Sequence, residues 1–558
     1  MLERIRRNQP PKSERVRRER VRRAEFSMVN PQPEPEIFTK LSRIKWTPEH
    51  RQQLREMWER GDRASAIAAR LGCRPSAISV ARARFGLTPR REVAGRPKRA
   101  PDEPAHKIER VAFTTSRLME FCTEKELVAQ TGHESEDWPR VVIKELTDNS
   151  IDACEDTEIV PVIGVTIKTG EEAPRLKLAR IIIEDNGPGI APSIISKTTD
   201  YTVRCSSREA YISPTRGRQG NALKTILAMG YVLGGKIKGE TWIEARGVKH
   251  RILFTVDQIR QQPIVKNIRS RSRMRTGTRI TVFWPGEIDH HEITRLLFAF
   301  SWMNPHLSLR FTIDGETVID AVATNVNWKK YRACDATSAH WYSLEQIERY
   351  AGALITRDQE QKRKTRQKFT VREFISQFRG MSATDKQKRV LRELGASHLS
   401  LQRFFGSEDQ VNHRRMEKLL KLLREHTRPV RPELLGVIGE EHFRRLMTDL
   451  GGEPKSFKYG VDAKFDASGL PYVVESAICP FADWVAGKRS SRTRILITGV
   501  NFSATLENPF DTFRGLEGMS EILVDLRAGP YNPVIVAVHY TCPHIEYLDR
   551  GKSRIGLE

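Results

Sequence analysis

Three polar side chains recur along one predicted helix at a spacing that can hold a metal ion and a water molecule together. Within RVVIKELTDNSIDACED, Glu145, Asn149 and Asp152 follow one another at i, i+4 and i+7, so they form a single polar stripe. A carboxylate can take a proton from water, and an amide oxygen can bind a hard divalent cation. This stripe is a candidate catalytic feature, although acidic residues on a helix are usually only a solvated face.

Two glycine-rich turns follow this helix and add phosphate-binding chemistry. The segment IIIEDNGPGI runs from an apolar strand into a turn that contains Gly187 and Gly189, which places Asp185 at a strand end. The segment TRGRQGNALKTILAMGYVLG is a loop that opens into a helix, where backbone N–H groups can bind an anion. Each motif is common by itself, and their order is the stronger signal.

The elements around these motifs predict an α+β chain with several domains. Residues 111–320 alternate helical and β-rich stretches, residues 341–426 are helical and charged, and strands return from about Pro432 onward. At typical domain lengths, a chain of 558 residues is expected to contain about three to five domains.

The motifs E-x-x-x-N-x-x-D-A, D-x-G-x-G and a Gly-rich lid, in this order, resemble the GHKL nucleotide-binding fold of gyrase, MutL, heat-shock chaperones and histidine kinases. Among GHKL families, residues 111–558 resemble the B subunit of topoisomerase VI through FTTSRLMEFCTEKELVAQTGH, TGTRITVFWPG and PVIVAVHYTCPHIEYLDRGKSRI. The resemblance implies a GHKL ATPase α/β sandwich at 111–335, a helical helix-two-turn-helix-like insert at 336–430, and an α/β transducer domain at 431–558 that is truncated relative to the family.

The resemblance also implies ATP and Mg²⁺ as ligands and gives roles to individual residues. Glu145 matches the general base, Asn149 the Mg²⁺ ligand, Asp185 the acceptor of the adenine amine, and Lys552 the switch lysine that reaches the γ-phosphate. A solvated lysine is the alternative for Lys552. The other nucleotide-binding residues implied are Gly187, Gly189, Ser207, Arg208, Gly217, Arg218, Gln219, Gly220, Asn221, Ala222, Leu223, Lys224 and Thr278. The family usually has glycine at the position of Ala222, where a left-handed turn would strain alanine.

The basic residues are concentrated at the beginning of the chain. Residues 1–100 hold 26 Lys and Arg against 11 Asp and Glu, which is +15 of the net +24. We expect a basic arm and linker at 1–40, a small all-α helix-turn-helix module at 41–90, and a basic linker with an AT-hook-like GRPKR at 91–110. The predicted DNA-binding residues are Arg74, Ser76, Ser79, Arg82, Arg84, Arg96, Lys98 and Arg99. The alternative for 41–90 is a helical bundle that binds a protein partner, and the alternative for the AT-hook-like segment is a plain basic linker. The basic N-terminal residues as a whole could also serve only solubility.

Taken together, these features predict the ATP-hydrolysing B subunit of a type IIB DNA topoisomerase, in which ATP closes two copies around double-stranded DNA. The chain contains no D-x-D pair, so a separate A-like subunit with a tyrosine nucleophile would cut DNA. The family's long helix after the switch lysine is missing, so we expect another segment to attach that subunit. The alternative is a stand-alone ATP-switched DNA-binding clamp or regulator without topoisomerase activity.

No stretch is apolar enough for a membrane helix or a signal peptide, which predicts a cytoplasmic, nucleoid-associated protein without a membrane partner. The seven cysteines are scattered without a C-x-x-C pair, so neither a disulfide framework nor a zinc site is implied.

Overall fold

The computed structural model of the protein divides the chain into two compact units near residue 114. The residues that it describes are 44–88, 121–173, 176–201, 210–216, 222–234, 239–257, 259–260, 262–361, 368–407, 410–488, 491–511, 518–552 and 554–556. No helix among these residues is long and apolar enough to cross a membrane.

Residues 44–88, the described part of the first unit, form three short helices around a small apolar core. They are α1 (Pro48–Glu59), α2 (Ala64–Arg70) and α3 (Pro75–Arg84). The hydroxyl of Thr47 accepts a hydrogen bond from the backbone N–H of His50 and caps α1. Leu54, Ile67 and Ile78 are completely buried between the helices. The identity of this unit as a helix-turn-helix module stays a prediction.

The second unit begins with an α/β region built on an eight-stranded sheet. Its elements are α4 (Glu124–Thr131), α5 (Trp138–Asp156), β1 (Val162–Ala173), β2 (Leu176–Asp185), α6 (Pro192–Thr198), α7 (Ala222–Leu233), β3 (Gly239–Ala245), β4 (Val248–Asp257), β5 (Gln262–Arg271), β6 (Thr278–Trp284), α8 (His290–Met303), β7 (Ser308–Ile313) and β8 (Glu316–Ala321). The strand order is β5-β4-β3-β6-β2-β1-β7-β8, and every pairing is antiparallel except that of β1 with β7. Helices α5, α7 and α8 pack against this sheet.

A helical region follows, with its own apolar core. Its elements are α9 (Leu344–Gln361), α10 (Val371–Ser376), α11 (Thr384–Leu394), α12 (Leu401–Phe405), β9 (Gly406–Ser407), β10 (Gln410–Val411) and α13 (His413–His426). Helix α10 begins with a capping box between Thr370 and Glu373. Phe374, Phe378 and Leu423 are buried in this core.

The last region is a five-stranded sheet flanked by short helices. Its elements are α14 (Glu440–Asp449), β11 (Lys458–Phe465), β12 (Pro471–Pro480), α15 (Ala482–Val485), β13 (Ile495–Val500), β14 (Ser503–Ala504), α16 (Met519–Asp525) and β15 (Val534–Thr541). The strand order is β11-β12-β15-β13-β14, with β13 and β15 parallel. The predicted mixed α+β architecture is therefore confirmed.

Candidate nucleotide-binding site

Helix α5 carries two accessible polar side chains although most of the helix is buried. The side chain of Glu145 is 24% exposed, and Asn149 lies exposed one turn further along. Residues four apart share a helix face, so the carboxylate and the amide stand side by side. Asp152, which the spacing places in the same stripe, is instead buried and accepts a hydrogen bond from Arg216 at 2.5 Å. The accessible stripe therefore consists of Glu145 and Asn149.

Asp185 ends β2, and three donors hold its carboxylate. Its Oδ1 accepts hydrogen bonds from the backbone N–H of Gly187 at 2.9 Å and of Thr278 at 3.1 Å, while Oδ2 accepts one from the Ser150 hydroxyl at 3.2 Å. Burial raises the pKa of Asp185, and the three hydrogen bonds offset this only in part. Because a carboxylate oxygen can accept two hydrogen bonds, Oδ2 can take one further donor, such as an exocyclic amine.

Glycines shape the backbone around this carboxylate. A Cβ at Gly277 would lie 2.0 Å from the carbonyl oxygen of Asp185, and Gly277 also has a left-handed φ of +74°. Gly189, with φ +76°, approaches the Gly277 carbonyl so closely that a Cβ there would be 2.9 Å away. Only glycine tolerates both constraints without strain. Sequence reasoning found Gly187 and Gly189 but missed Gly277 and Ser150; the Thr-Gly-Thr sequence before β6 was the available signal for Gly277.

The last described residues of the chain bring Lys552 to helix α5. A β-bridge joins Tyr547 to Ile555, so these two residues lie side by side in a hairpin, and Lys552 is between them in the sequence. The Nζ of Lys552 lies 3.7 Å from Oε1 of Glu145, and its side chain is 31% exposed. Its backbone has a left-handed φ of +56°, which is unfavourable for a residue with a Cβ. Two residues that are 407 positions apart in the sequence thus form an ion pair.

The turn after α4 fixes the position of this hairpin. Nε2 of His133 donates a hydrogen bond to the carbonyl oxygen of Gly551 at 3.0 Å. Gly132 ends α4 with φ +72°, and a Cβ at this position would lie 2.1 Å from the backbone nitrogen of Gly551. The two backbones are therefore in direct contact, and this contact determines where Lys552 stands. Sequence reasoning missed both Gly132 and His133.

Nearby cations keep Glu145 in its charged form. Burial alone would raise the pKa of Glu145, but Lys552 and Lys144 hold it below its ordinary value. Lys144 is itself fixed by hydrogen bonds from its Nζ to Asp148 at 2.8 Å and to the Ser503 hydroxyl at 2.9 Å. An ionised carboxylate beside an ammonium group is suited to accept a proton from water close to an anionic phosphate.

The buried side of α5 holds a second group of charges that the sequence reasoning also missed. Arg216 is completely buried and forms ion pairs with Asp152 at 2.5 Å and Glu155 at 2.8 Å. Glu155 also pairs with Lys330 at 2.9 Å, and Arg216 donates to the carbonyl oxygen of Phe502 at 3.2 Å. Arg216 directly precedes the predicted lid, so this group connects α5, the start of the lid and the β13–β14 turn. The signal in the sequence was a row of carboxylates on an otherwise apolar helix.

Only the end of the predicted phosphate lid lies among the described residues. Ala222 is the first residue of α7, so the helical conformation there does not require the left-handed turn that would strain alanine. Leu223 follows and is partly buried. Lys224 is buried, and its Nζ donates a hydrogen bond to the carbonyl oxygen of Asp200 at 2.6 Å. Its ammonium group therefore already has a partner within the domain. Ser207, Arg208, Gly217, Arg218, Gln219, Gly220 and Asn221 lie outside the described residues.

The predicted DNA-binding residues of the first unit are largely accessible. Arg74, Ser76, Ser79 and Arg84 are exposed, whereas the guanidinium of Arg82 packs over the Trp58 ring at 5.8 Å. Arg96, Lys98 and Arg99 lie outside the part of the chain that the structure describes. Contact of these residues with DNA stays a prediction.

The residues present fit a Mg²⁺-bound nucleotide. The described ranges contain no cluster of three His, Cys, Asp or Glu suited to a metal ion. A Mg²⁺ ion that binds phosphates needs only one or two ligands from the protein, because waters and phosphate oxygens supply the others. The exposed amide of Asn149 can be such a ligand, and the spare acceptor of Asp185 suits an amine of a base.

Sequence comparison with curated proteins finds B subunits of type 2 DNA topoisomerase 6. The one from Archaeoglobus fulgidus is 26% identical over 343 residues, which cover 60% of this chain and 52% of the relative. The one from Natronomonas pharaonis is 28% identical over 175 residues, which cover 30% and 21%. That of Methanosarcina barkeri is 36% identical over 95 residues, which cover 17% and 14%. This chain thus spans about half the length of the Archaeoglobus relative.

No protein-family profile matches the chain. Among solved structures, the Aquifex aeolicus MutL ATPase domain complexed with ADP aligns at 10% identity and a TM-score of 0.27, over 71% of this chain and 90% of that one. This similarity is too low to support an inference.

The chain is thus similar in sequence to B subunits of topoisomerase VI, the family that its motifs resemble.

Proposed function

We propose that the chain binds and hydrolyses ATP as the B subunit of a topoisomerase VI-like, type IIB DNA topoisomerase. The observation that carries this proposal is the 3.7 Å approach of Lys552 to Glu145. Hydrolysis of a phosphoanhydride requires a base for the attacking water and a cation for the charge on the transferred phosphoryl group. This ion pair supplies both groups at one place.

In the proposed complex, different parts of the chain would contact the base, the phosphates and the metal ion. The adenine amine donates to Asp185 beside Thr278, in the space that the glycines at 187 and 189 leave free. Ser207 and Arg208, together with the lid at 217–224, would surround the phosphates. Asn149 would hold Mg²⁺, which would neutralise part of the phosphate charge when bound.

The reaction then follows from the positions of two side chains. Glu145 accepts a proton from water as the water oxygen forms a bond to the γ-phosphorus. The bond between the γ-phosphorus and the β–γ bridging oxygen breaks, which gives ADP and inorganic phosphate. Lys552 leaves Glu145 to pair with the phosphoryl group. Most of the acceleration comes from this positioning of the reactants.

The proposed biological role is a dimerisation gate on DNA. ATP would join two copies of the chain around a duplex, and hydrolysis would release them. A topoisomerase VI A-like subunit would cut the DNA, and the first unit would add affinity for the duplex through Arg74, Ser76, Ser79 and Arg84, which are exposed. The names of the sequence relatives, which are subunits of a DNA topoisomerase, support the action on DNA and the partner subunit.

Two isosteric changes test the ATPase proposal. Glu145→Gln removes the base and leaves the adenine contacts intact, so we expect ATP binding near the wild-type level and turnover reduced by about 100-fold or more. Asp185→Asn replaces one carboxylate oxygen by an NH2 group, which donates hydrogen bonds and cannot accept one, so we expect ATP affinity to fall by about 10- to 100-fold. Nucleotide affinity and phosphate release are measured for both variants.

The matched control is Glu136→Gln, which changes an exposed carboxylate near the start of α5. We expect wild-type binding and turnover for this variant. Full turnover in Glu145→Gln would contradict the proposed function, whereas a loss in all three variants would show that the assay reports a general effect of charge.

A further inference from the structure

A concentration of positive charge on and beside strand β5, at one edge of the large sheet, takes no part in the site described above. Residues 258–286 contain seven Lys and Arg and no Asp or Glu. Residues 101–558 as a whole carry 68 Lys and Arg against 59 Asp and Glu, so this short stretch contributes +7 to their net charge of +9. This second concentration of basic residues is separate from the one at residues 1–100.

Four of these residues form a row, which we call the basic row: Arg269, Arg271, Arg273 and Arg275. All four are exposed. Strand β5 ends at Arg271, and from Arg271 to Arg275 the arginines are exposed while Ser272 and Met274 between them are partly buried. Arg269 and Arg271 lie on the same face of β5, at about 7 Å from each other, because they are two residues apart in a strand. Arg273 and Arg275 follow beyond the strand, where the backbone bends at Arg273.

The residues between these arginines fix the backbone of the basic row. The backbone N–H of Ser272 donates to the Gly247 carbonyl at 2.9 Å, and the N–H of Gly247 donates to the Met274 carbonyl at 2.6 Å. The hydroxyl of Ser272 donates to Glu244 at 2.7 Å. The positions that alternate with the arginines are thus attached to the β3–β4 turn. The arginines are presented on an ordered backbone, so a ligand would not have to order it on binding.

The arginines of the basic row have no acidic partner among the residues that the structure describes. Arg269 donates to the Ser196 hydroxyl at 2.8 Å, and the guanidinium of Arg275 lies against Gly247. The next basic residue differs, because Arg279 pairs with Glu184 at 2.7 Å. Like charges placed side by side repel one another, so an anion that binds there gains free energy. Charge on an edge strand also prevents aggregation, but that purpose does not require one sign throughout.

We propose that the basic row binds the phosphate backbone of duplex DNA. Duplex DNA carries one negative charge per about 1.7 Å of helix axis, so four neighbouring arginines meet several phosphates at once. Guanidinium groups match phosphate geometry because they can donate two parallel hydrogen bonds. The choice of DNA among polyanions rests on the proposed function. The contact itself needs neither nucleotide nor the predicted DNA-binding residues of the first unit.

A salt series on the full chain tests this contact. One variant carries Arg269→Gln, Arg271→Gln, Arg273→Gln and Arg275→Gln together. The matched control carries the same change at four exposed arginines that each pair with a carboxylate, namely Arg295, Arg310, Arg349 and Arg444. Both variants lose four positive charges. Duplex affinity is measured without nucleotide, and both variants are checked for a wild-type circular dichroism spectrum.

Each phosphate contact contributes about 0.9 to the slope of log K against log salt concentration, so we expect the slope of the basic-row variant to be shallower by about 3 to 4. The control should change it by less than about 1. Equal slopes in the two variants would overturn the proposal, and so would a change seen with heparin but not with duplex DNA. If the fourfold variant misfolds, the pairs Arg269/Arg271 and Arg273/Arg275 are changed separately, each with half the expected effect.

The outcome is separable from that of the proposed function. Basic-row variants should hydrolyse ATP at the wild-type rate in the absence of DNA. If Glu145→Gln retained turnover, the ATPase proposal would fail, while a shallower salt slope of the basic-row variant would still establish the DNA contact.

Discussion

Helix α5 carries two groups of charged side chains. One forms a single, partly exposed ion pair, and the other forms several buried ion pairs. On its accessible side, Glu145 faces Lys552 at 3.7 Å, and both side chains are partly exposed. On its buried side, Asp152 and Glu155 hold the completely buried Arg216 at 2.5 and 2.8 Å. A loosely paired carboxylate can exchange its partner for water or phosphate. A saturated pair cannot do so without leaving a buried charge alone, which costs several kcal/mol.

The electrostatics of the two groups follow the same division. Burial opposes the charged form of Arg216, but Glu155 and Asp152 raise its pKa above the ordinary value. Burial also disfavours the charged form of Glu155, yet Arg216 and Lys330 hold its pKa well below the ordinary value. These groups therefore stay charged because they hold each other. One helix can thus separate residues that are available for chemistry from residues that fix the fold.

Removal of the buried cation should have the largest effect on the protein. Arg216→Met leaves Asp152 and Glu155 without their main partner, so we expect the free energy of unfolding to fall by about 3–5 kcal/mol. Urea unfolding measures this loss. The control is Arg295→Met, because Arg295 forms an exposed pair with Glu292 at 3.0 Å that should contribute no more than about 1 kcal/mol. Equal losses in the two variants would show that the buried group does not stabilise the fold.

The sequence predicts those parts of the site that depend on local spacing. Glu145 and Asn149 are adjacent because residues four apart share a helix face, and Asp185 is at a strand end because an apolar run meets a Gly-Pro turn. Lys552 was assigned through a family resemblance, and the structure brings it to Glu145. No spacing rule could place it there, since the contact joins residues 407 positions apart.

The remaining features were beyond prediction because they depend on tertiary contacts or on local charge. Strand alternation predicts mixed α+β structure, but the order of eight strands depends on crossovers that no local pattern specifies. Arg216 meets its carboxylates only after the sheet and α5 have packed. The contact of Gly132 with Gly551 is likewise a property of the folded backbone. The basic row was missed because charges were summed over 458 residues.

A second effect is expected on the accessible side of α5, where the position of Lys552 depends on Gly132. Gly132→Ala places a methyl group where the Gly551 backbone lies, so the hairpin must move and Lys552 must move with it. Because misplacement by about 1 Å can cost 100-fold in rate, we expect ATP turnover to fall by about 10- to 100-fold. Phosphate release is measured with saturating ATP.

Gly395→Ala is the matched control for this change. Gly395 also ends a helix in the left-handed region, with φ +63°, but a Cβ there meets nothing within 4 Å. Both variants should lose about 1–2 kcal/mol of stability from the strained backbone, and only Gly132→Ala should lose turnover. In a Lys552→Met background, Gly132→Ala should have no further effect on turnover. An undiminished effect there would show that Gly132 acts on the site by another route.

The smallest predicted effect is the pH dependence of the accessible ion pair. Because Lys552 and Lys144 hold the pKa of Glu145 below its ordinary value, the folded chain keeps this carboxylate charged to a lower pH than the unfolded chain does. The resulting stabilisation is complete above the ordinary glutamate pKa of about 4.3 and is lost as the pH falls through the lower value of the folded state. A partly exposed pair contributes about 0.2–1 kcal/mol. We therefore expect Lys552→Met to reduce the free energy of unfolding by this amount at neutral pH, and the difference from wild type to disappear at acidic pH. Lys125→Met, which changes an exposed lysine of α4, should show no such trend. Lys144 and His133 also act on Glu145 and are retained in both variants, so a difference that persists in acid would mean that Lys552 stabilises the fold through a group other than Glu145.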